Sequence, residues 1–97
     1  MANLDEELAV ARETRAAIDN TPRELLEILR KALYMARTQQ ITIFSSEAAL
    51  NKARPYAGNA LSTLICAIEA RRDTPERINR TKYAIDAWIK ELEAVKS

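Results

Sequence analysis

The stretch at residues 46–72 constrains the fold more than any other part of the sequence, because its apolar residues recur at steps of three and four positions. Such spacing places side chains on one face of a helix. The residues on this face are Leu50, Ala53, Ala57, Ala60, Leu61, Leu64, Ala67 and Ile68. Its first half is mostly alanine, which lets a neighbouring helix approach closely, and its second half carries larger side chains for a core. We therefore predict one long helix that packs between neighbours.

Pro55 lies inside this predicted helix. Proline lacks the N–H that would bond the carbonyl four residues back, and its ring clashes with that carbonyl, at a cost of about 3 kcal/mol. Two arrangements absorb that cost: a kink at Pro55, or a break in which Pro55 is the first residue of a new helix. Gly58, the only glycine in the chain, follows within one turn. We expect a kink rather than a break.

Composition favours an all-α fold. Seventeen alanines, one glycine and three prolines among 97 residues, 30% of them charged, are typical of helices joined by short turns. Periodicity and capping signals predict a single domain with helices at residues 4–18, 22–43, 46–72 and 75–95. We expect a small antiparallel bundle of three to four helices with the Pro-kinked helix at its centre. A chain this short buries only about 60–65% of its unfolded surface, so we also expect a homo-oligomer.

Two Thr-Pro pairs mark predicted helix starts. Thr21 is predicted to cap the second helix, with Pro22 at its first position and Glu24 completing a capping box. Asp73 or Thr74 is predicted to cap the fourth helix, with the following proline in its first turn. Both Thr-Pro pairs therefore predict that one helix ends and the next begins directly after it.

The chain contains no histidine. Histidine is the commonest general base and metal ligand, so its absence removes hydrolytic triads and helical metal sites of the Glu-x-x-His kind. The acidic run at residues 5–7 falls in the first turn of a predicted helix, where the helix dipole explains it without a cation. Gly58 stands alone, so there is no glycine-rich loop for a nucleotide phosphate. We expect no enzymatic activity, no metal and no cofactor.

Cys66, the only cysteine, cannot form a disulfide within the chain. It lies between Ile65 and Ala67 in the bulkier half of the predicted central helix, where a small thiol is most simply a core residue. A single cysteine agrees with a reducing compartment. The chain begins with an acidic segment rather than a signal peptide, and no run of 18 apolar residues predicts a membrane span. We therefore expect a cytoplasmic protein.

A basic cluster surrounds the start of the fourth predicted helix. Free backbone donors and the positive end of the helix dipole also lie there, which suits a phosphate or an acidic side chain. The candidate anion-binding residues, with Arg54 added from the central helix, are Arg54, Arg71, Arg72, Arg77, Arg80 and Lys82. Charged residues at a helix junction more often form a solvated surface, and that alternative stays open.

Three tyrosines, Tyr34, Tyr56 and Tyr83, are candidate interface residues. Tyr34 and Tyr83 fall off the best apolar stripes of their helices, and Tyr56 directly follows Pro55. Tyrosines near the surface are favoured in protein interfaces. Each could instead lie along the flank of a narrow core, since the ring is apolar and only its hydroxyl needs water.

These features predict a small non-enzymatic helical binding protein that acts on a partner protein, as an adaptor or inhibitor. By general type, rather than by any motif, compact chains like this are encoded by phages and other mobile elements against host machinery. The alternative is an oligomeric protein that sequesters a small anionic ligand, such as a nucleotide, at the basic cluster with Arg54 or Tyr56. Nucleic-acid binding ranks third, because a formal charge of +1 gives little attraction to a phosphate backbone.

Overall fold

The computed structural model describes residues 4–38 and 48–96, and every regular element in those ranges is a helix. The four helices are α1 (Leu4–Asn20), α2 (Leu25–Thr38), α3 (Ala48–Glu69) and α4 (Pro75–Lys96). No strand occurs among the described residues. The four helices pack against one another, so the predicted all-α class is confirmed. The predicted end of the second helix near residue 43, and the start of the third at residue 46, lie outside the described residues.

The helices form a ring in which each packs mainly against two others: α1 against α2 and α4, and α3 against α2 and α4. Asp5 and Asp19, near the two ends of α1, pair with Lys96 at the C-terminal end of α4 and with Lys82 in its first half. These two helices therefore run antiparallel. The centre of the ring holds an apolar core to which all four helices contribute, with Trp88 of α4 as its largest member.

Pro55 lies inside α3, which continues from Ala48 to Glu69. The alternative in which Pro55 begins a new helix is therefore wrong. Gly58 faces α2, where an added Cβ atom would lie 3.8–4.0 Å from the nearest side chains, among them that of Ala36. These are ordinary van der Waals distances, so the contact between α2 and α3 has room for a methyl group at this position.

The capping box predicted at Thr21 is wrong. Thr21 has a φ of 45°, and its N–H donates to the carbonyl oxygen of Ala17 at 2.8 Å. A left-handed residue with that bond closes the last turn of a helix, so Thr21 ends α1 instead of starting α2. The second helix begins later, at Leu25, whose N–H bonds to the carbonyl oxygen of Pro22 at 3.1 Å.

The junction between α3 and α4 has the predicted arrangement, with a cap before the fourth helix and proline in its first turn. Arg71, with a φ of 57°, donates its N–H to the carbonyl oxygen of Ile68 at 3.0 Å, just after the end of α3. Thr74 then caps α4, because its Oγ1 accepts a hydrogen bond from the N–H of Arg77 at 3.3 Å. Pro75 is the first residue of α4, the position where a missing N–H costs nothing.

A buried ion pair links α1 to α3. The side chains of Glu7 and Arg54 are 0% and 3% exposed. Arg54 donates from Nε to Oε2 of Glu7 at 2.9 Å and from Nη2 to Oε1 at 2.8 Å. Trp88 of α4 donates its Nε1–H to the same Oε2 at 2.7 Å, and Asn51 accepts from Nη1 of Arg54 at 3.1 Å. We call Glu7, Arg54 and Trp88 the buried triad.

The buried triad joins three of the four helices at one depth in the bundle. Removing a carboxylate and a guanidinium from water costs several kcal/mol for each group. That cost is offset only where the fork of the guanidinium meets both carboxylate oxygens and the remaining donors find acceptors. Glu7 has these partners only when α1, α3 and α4 meet in the observed register, so the triad favours this arrangement over a shifted one.

Glu7→Ala is expected to lower the free energy of unfolding by about 3–5 kcal/mol, because it leaves the guanidinium of Arg54 buried without its counter-charge. Urea denaturation followed by circular dichroism measures this loss. The matched control is Glu6→Ala at the adjacent exposed position, which should change the free energy by no more than about 0.5 kcal/mol.

The double variant Glu7→Leu/Arg54→Met should recover much of the stability that Glu7→Ala loses, because it removes both buried charges and keeps apolar volume. Equal losses for Glu7→Ala and Glu6→Ala would contradict the structural importance of the triad.

Candidate functional site

An open groove lies between α3 and α4. Thr81 of α4 is buried at the seam, where its hydroxyl donates to the carbonyl oxygen of Arg77 at 2.9 Å and lies 3.5 Å from that of Ala60 in α3. The space above this seam has a volume of about 330 Å³. We call it the α3–α4 groove, and the residues that line it are Tyr56, Asn59, Ala60, Thr63, Arg77, Arg80 and Thr81.

Two residues of the predicted basic cluster line this groove. Arg77 is held by a hydrogen bond from its Nη1 to the carbonyl oxygen of Arg72 at 2.9 Å, which leaves its other N–H donors for further contacts. Nη2 of Arg80 lies 3.8 Å from Oε1 of Glu76, which is too long for a hydrogen bond. Glu76 does not line the groove, and neither does any other described carboxylate. Two guanidinium groups thus line a groove that no acidic residue of the described ranges lines.

Arg71 and Arg72 lie beside the groove rather than in it. Arg72 lines a neighbouring depression together with Arg77 and Cys66, and Arg71 is exposed and lines neither space. The prediction that Cys66 belongs to the core is wrong, because its side chain is exposed. The buried face of α3 includes Leu64, and two helical steps of about 100° carry Cys66 to the opposite side.

The remaining two candidate cations are engaged away from the groove. Nζ of Lys82 lies 2.9 Å from Oδ1 of Asp19, so Lys82 faces α1 rather than α3. Arg54 is buried against Glu7 in the interior. The structure therefore brings together two of the six predicted cationic residues, with Tyr56 beside them.

All three candidate tyrosines are exposed, with 71% of Tyr34, 49% of Tyr56 and 73% of Tyr83 accessible to solvent. Tyr56 and Tyr83 line one depression together with Glu76, Asn79 and Arg80, and this depression adjoins the α3–α4 groove through Tyr56 and Arg80. We call the surface of Tyr56, Arg80 and Tyr83 the Tyr56–Tyr83 face. Tyr34 is on α2 and lines neither space.

Two groove residues were not singled out from the sequence. Asn59 and Thr63 follow Tyr56 at steps of three and four positions, which is the spacing of a polar stripe along one side of α3. This polar stripe is the feature of the sequence from which the two groove residues could have been predicted. The hydroxyl of Thr63 donates to the carbonyl oxygen of Asn59 at 2.9 Å. The side-chain amide of Asn59 is exposed and makes no hydrogen bond within the described ranges.

In the described part of the chain, no group of three or more histidine, cysteine, aspartate or glutamate residues could hold a metal ion. The described helices also include none with a stretch long and apolar enough to cross a membrane. Comparisons with known protein families, with curated proteins and with solved structures find no match to this chain.

The pKa of Asp19 is lowered, chiefly by its hydrogen bond with Lys82 and further by Arg15, although desolvation opposes the shift. Since the pKa is lower in the folded chain than its ordinary 3.8, the ion pair stabilises the fold above about pH 4 and loses its effect as the pH falls below that. Asp19→Asn should therefore lower the melting temperature at pH 7, and the difference from wild type should shrink between about pH 4 and pH 2.

Thermal unfolding followed by circular dichroism across this pH range tests the prediction. Asp73→Asn is the matched control, because Asp73 is exposed and has no ion pair among the described residues. A difference in melting temperature between wild type and Asp19→Asn that stays constant from pH 7 to pH 2 would contradict the prediction that the ionised Asp19 carboxylate stabilises the fold.

Proposed function

We propose that this chain is a small non-enzymatic binding protein that recognises a partner protein through the Tyr56–Tyr83 face. One observation supports the proposal above others: two tyrosines, 49% and 73% exposed, line the same depression. Both are held on helices, so their rings lose little conformational entropy when a partner covers them. Tyrosine and arginine are enriched among the residues that carry most of the binding energy in interfaces.

Arg80 indicates the chemistry of the partner. Its side chain is 68% exposed, and its ion pair with Glu76, whose side chain is 84% exposed, is long at 3.8 Å. A planar guanidinium in the same depression as two aromatic rings suits a carboxylate set in an apolar surface, since the carboxylate can accept two parallel hydrogen bonds. We therefore propose a partner that presents an acidic side chain among apolar ones.

Several finer features belong to the same proposal. The chain acts as an adaptor or inhibitor in the cytoplasm, in the manner of small proteins that phages and mobile elements encode. It associates with further copies of itself, which the small core of a 97-residue domain supports. Pro55 kinks α3 immediately before Tyr56, because the missing N–H leaves one carbonyl of the preceding turn without its helical bond.

Tyr83→Ala is expected to weaken the complex about 30-fold or more, the loss typical of an interface anchor. Tyr34→Ala is the matched control, because Tyr34 is equally exposed but lies away from the Tyr56–Tyr83 face. Affinity capture from a cell lysate with quantitative mass spectrometry identifies candidate partners, and titration of the purified partner then measures the two affinities. The proposal fails if no captured protein distinguishes Tyr83→Ala from Tyr34→Ala.

The α3–α4 groove favours a second candidate function, the sequestration of a small anionic ligand. The supporting observation is that Arg77 and Arg80 line the groove and none of the described carboxylates does. Guanidinium groups bind phosphate and carboxylate through paired, charge-assisted hydrogen bonds. Both arginines also lie in the first two turns of α4, where the dipole of the helix favours negative charge.

Pyrophosphate serves as a probe for this second function, because it is a small anion without a ring. It should raise the melting temperature of wild type at low salt and have a much smaller effect on Arg77→Gln/Arg80→Gln, since binding to the folded state alone stabilises it. The control is Arg23→Gln, since Arg23 is an exposed arginine that follows the first Thr-Pro pair, away from the groove. Sodium chloride at equal ionic strength separates binding from screening. Equal shifts in all three proteins would exclude the groove as the anion site.

A further inference from the structure

We infer that the α3–α4 groove takes a ligand that joins a flat aromatic ring to a phosphate, which makes a mononucleotide its natural class of occupant. This inference rests on the second function proposed above, anion binding at Arg77 and Arg80, and adds the ring. Its basis is that one groove is lined by two guanidinium groups from α4 and, from α3, by a half-exposed tyrosine and an asparagine amide without a hydrogen-bond partner among the described residues.

The α4 side of the groove supplies the charge. Arg77 and Arg80 are three residues apart, so they lie on the same side of the helix. The hydrogen bond from Arg77 to the carbonyl oxygen of Arg72 restrains one guanidinium group before any ligand binds. Less side-chain entropy is therefore lost on binding. Arg80 makes only a long ion pair with Glu76 among the described residues, at 3.8 Å. A doubly charged phosphate matches this pair better than a single carboxylate does, because it offers three acceptor oxygens.

The α3 side of the groove supplies the ring contact. Tyr56 is 49% exposed, so part of its phenol packs on the protein and the rest borders the groove. Nucleic-acid bases stack on aromatic side chains of this kind whatever their sequence. Asn59, one turn further along α3, presents a side-chain amide with donors and an acceptor, and this amide makes no hydrogen bond to another described residue. An asparagine amide is suited to the edge of a base.

The dimensions of the groove limit the ligand. A volume of about 330 Å³ lies at the small end of ligand sites, which range from about 300 to 1,000 Å³. One nucleotide is therefore the appropriate size, and the formal charge of +1 on the whole chain argues against a long polyanion. Thr63, which carries a hydroxyl group, and Ala60, which carries a methyl group, also line the groove.

Isothermal titration calorimetry of the full chain at low salt tests the inference with four probes: AMP, GMP, adenosine and inorganic phosphate. At least one nucleotide should bind about tenfold tighter than adenosine or phosphate, because stacking and charge pairing then act together. Tyr56→Leu should lower nucleotide affinity about tenfold and leave phosphate affinity unchanged. Arg77→Gln should weaken both nucleotide and phosphate. Tyr34→Leu and Arg23→Gln, exposed residues of the same types outside the groove, are the controls.

The outcomes separate the inference from the function on which it rests. If phosphate binds as tightly as both nucleotides, or if Tyr56→Leu changes nothing, the aromatic ring has no role and the inference is overturned, while anion binding stands. If no probe binds, both the inference and anion binding are overturned. Nucleotide binding that survives both Tyr56→Leu and Arg77→Gln would place the ligand elsewhere and also overturn the inference. Circular dichroism confirms that each variant is folded, as the exposure of these side chains leads us to expect.

Discussion

The rest of the structure depends on the hydrogen-bonded ion pair of Glu7 and Arg54. Two charges inside a small apolar core are tolerated only if each oxygen and each donor is matched, and here Trp88 completes the match. The same constraint sets the rotation of α3. Successive residues on a helix are about 100° apart, so turning Arg54 inward carries Tyr56, two positions later, to the outer side. The buried triad therefore positions the groove although none of its members lines it.

The two proposed functions use one region of the surface. Tyr56 and Arg80 line both the α3–α4 groove and the adjoining depression that Tyr83 completes. A ligand in the groove and a partner on the Tyr56–Tyr83 face would therefore engage the same two side chains, and each would weaken the binding of the other by an equal factor. Of the predicted cations, Arg77 and Arg80 both line the groove, which no described carboxylate lines, and Arg80 also belongs to the Tyr56–Tyr83 face.

Much of the fold could be predicted from the sequence, because the signals for helices are local. Periodicity indicated four helices, and the cap of the fourth was predicted at Asp73 or Thr74, of which the structure shows Thr74. Local signals also placed Arg77 and Arg80 on one side of a helix start. The same reasoning failed at Thr21, where an identical Thr-Pro pair closes the preceding helix. A Thr-Pro pair can either close the preceding helix or cap the next one. Its role depends on whether the preceding helix extends as far as the threonine.

The sequence by itself determined that this chain is helical, where α4 begins, and which cations cluster near that point. Only the tertiary structure decided that Glu7 and Arg54 are buried, that Cys66 is exposed, and that Lys82 turns to Asp19 instead of the groove. The physical reason is the range of the interactions. Helix periodicity and capping involve residues within about four positions, whereas the partner of a charge depends on which helices meet and at what rotation. An acidic residue in a first turn satisfies the helix dipole equally well whether it faces solvent or the core.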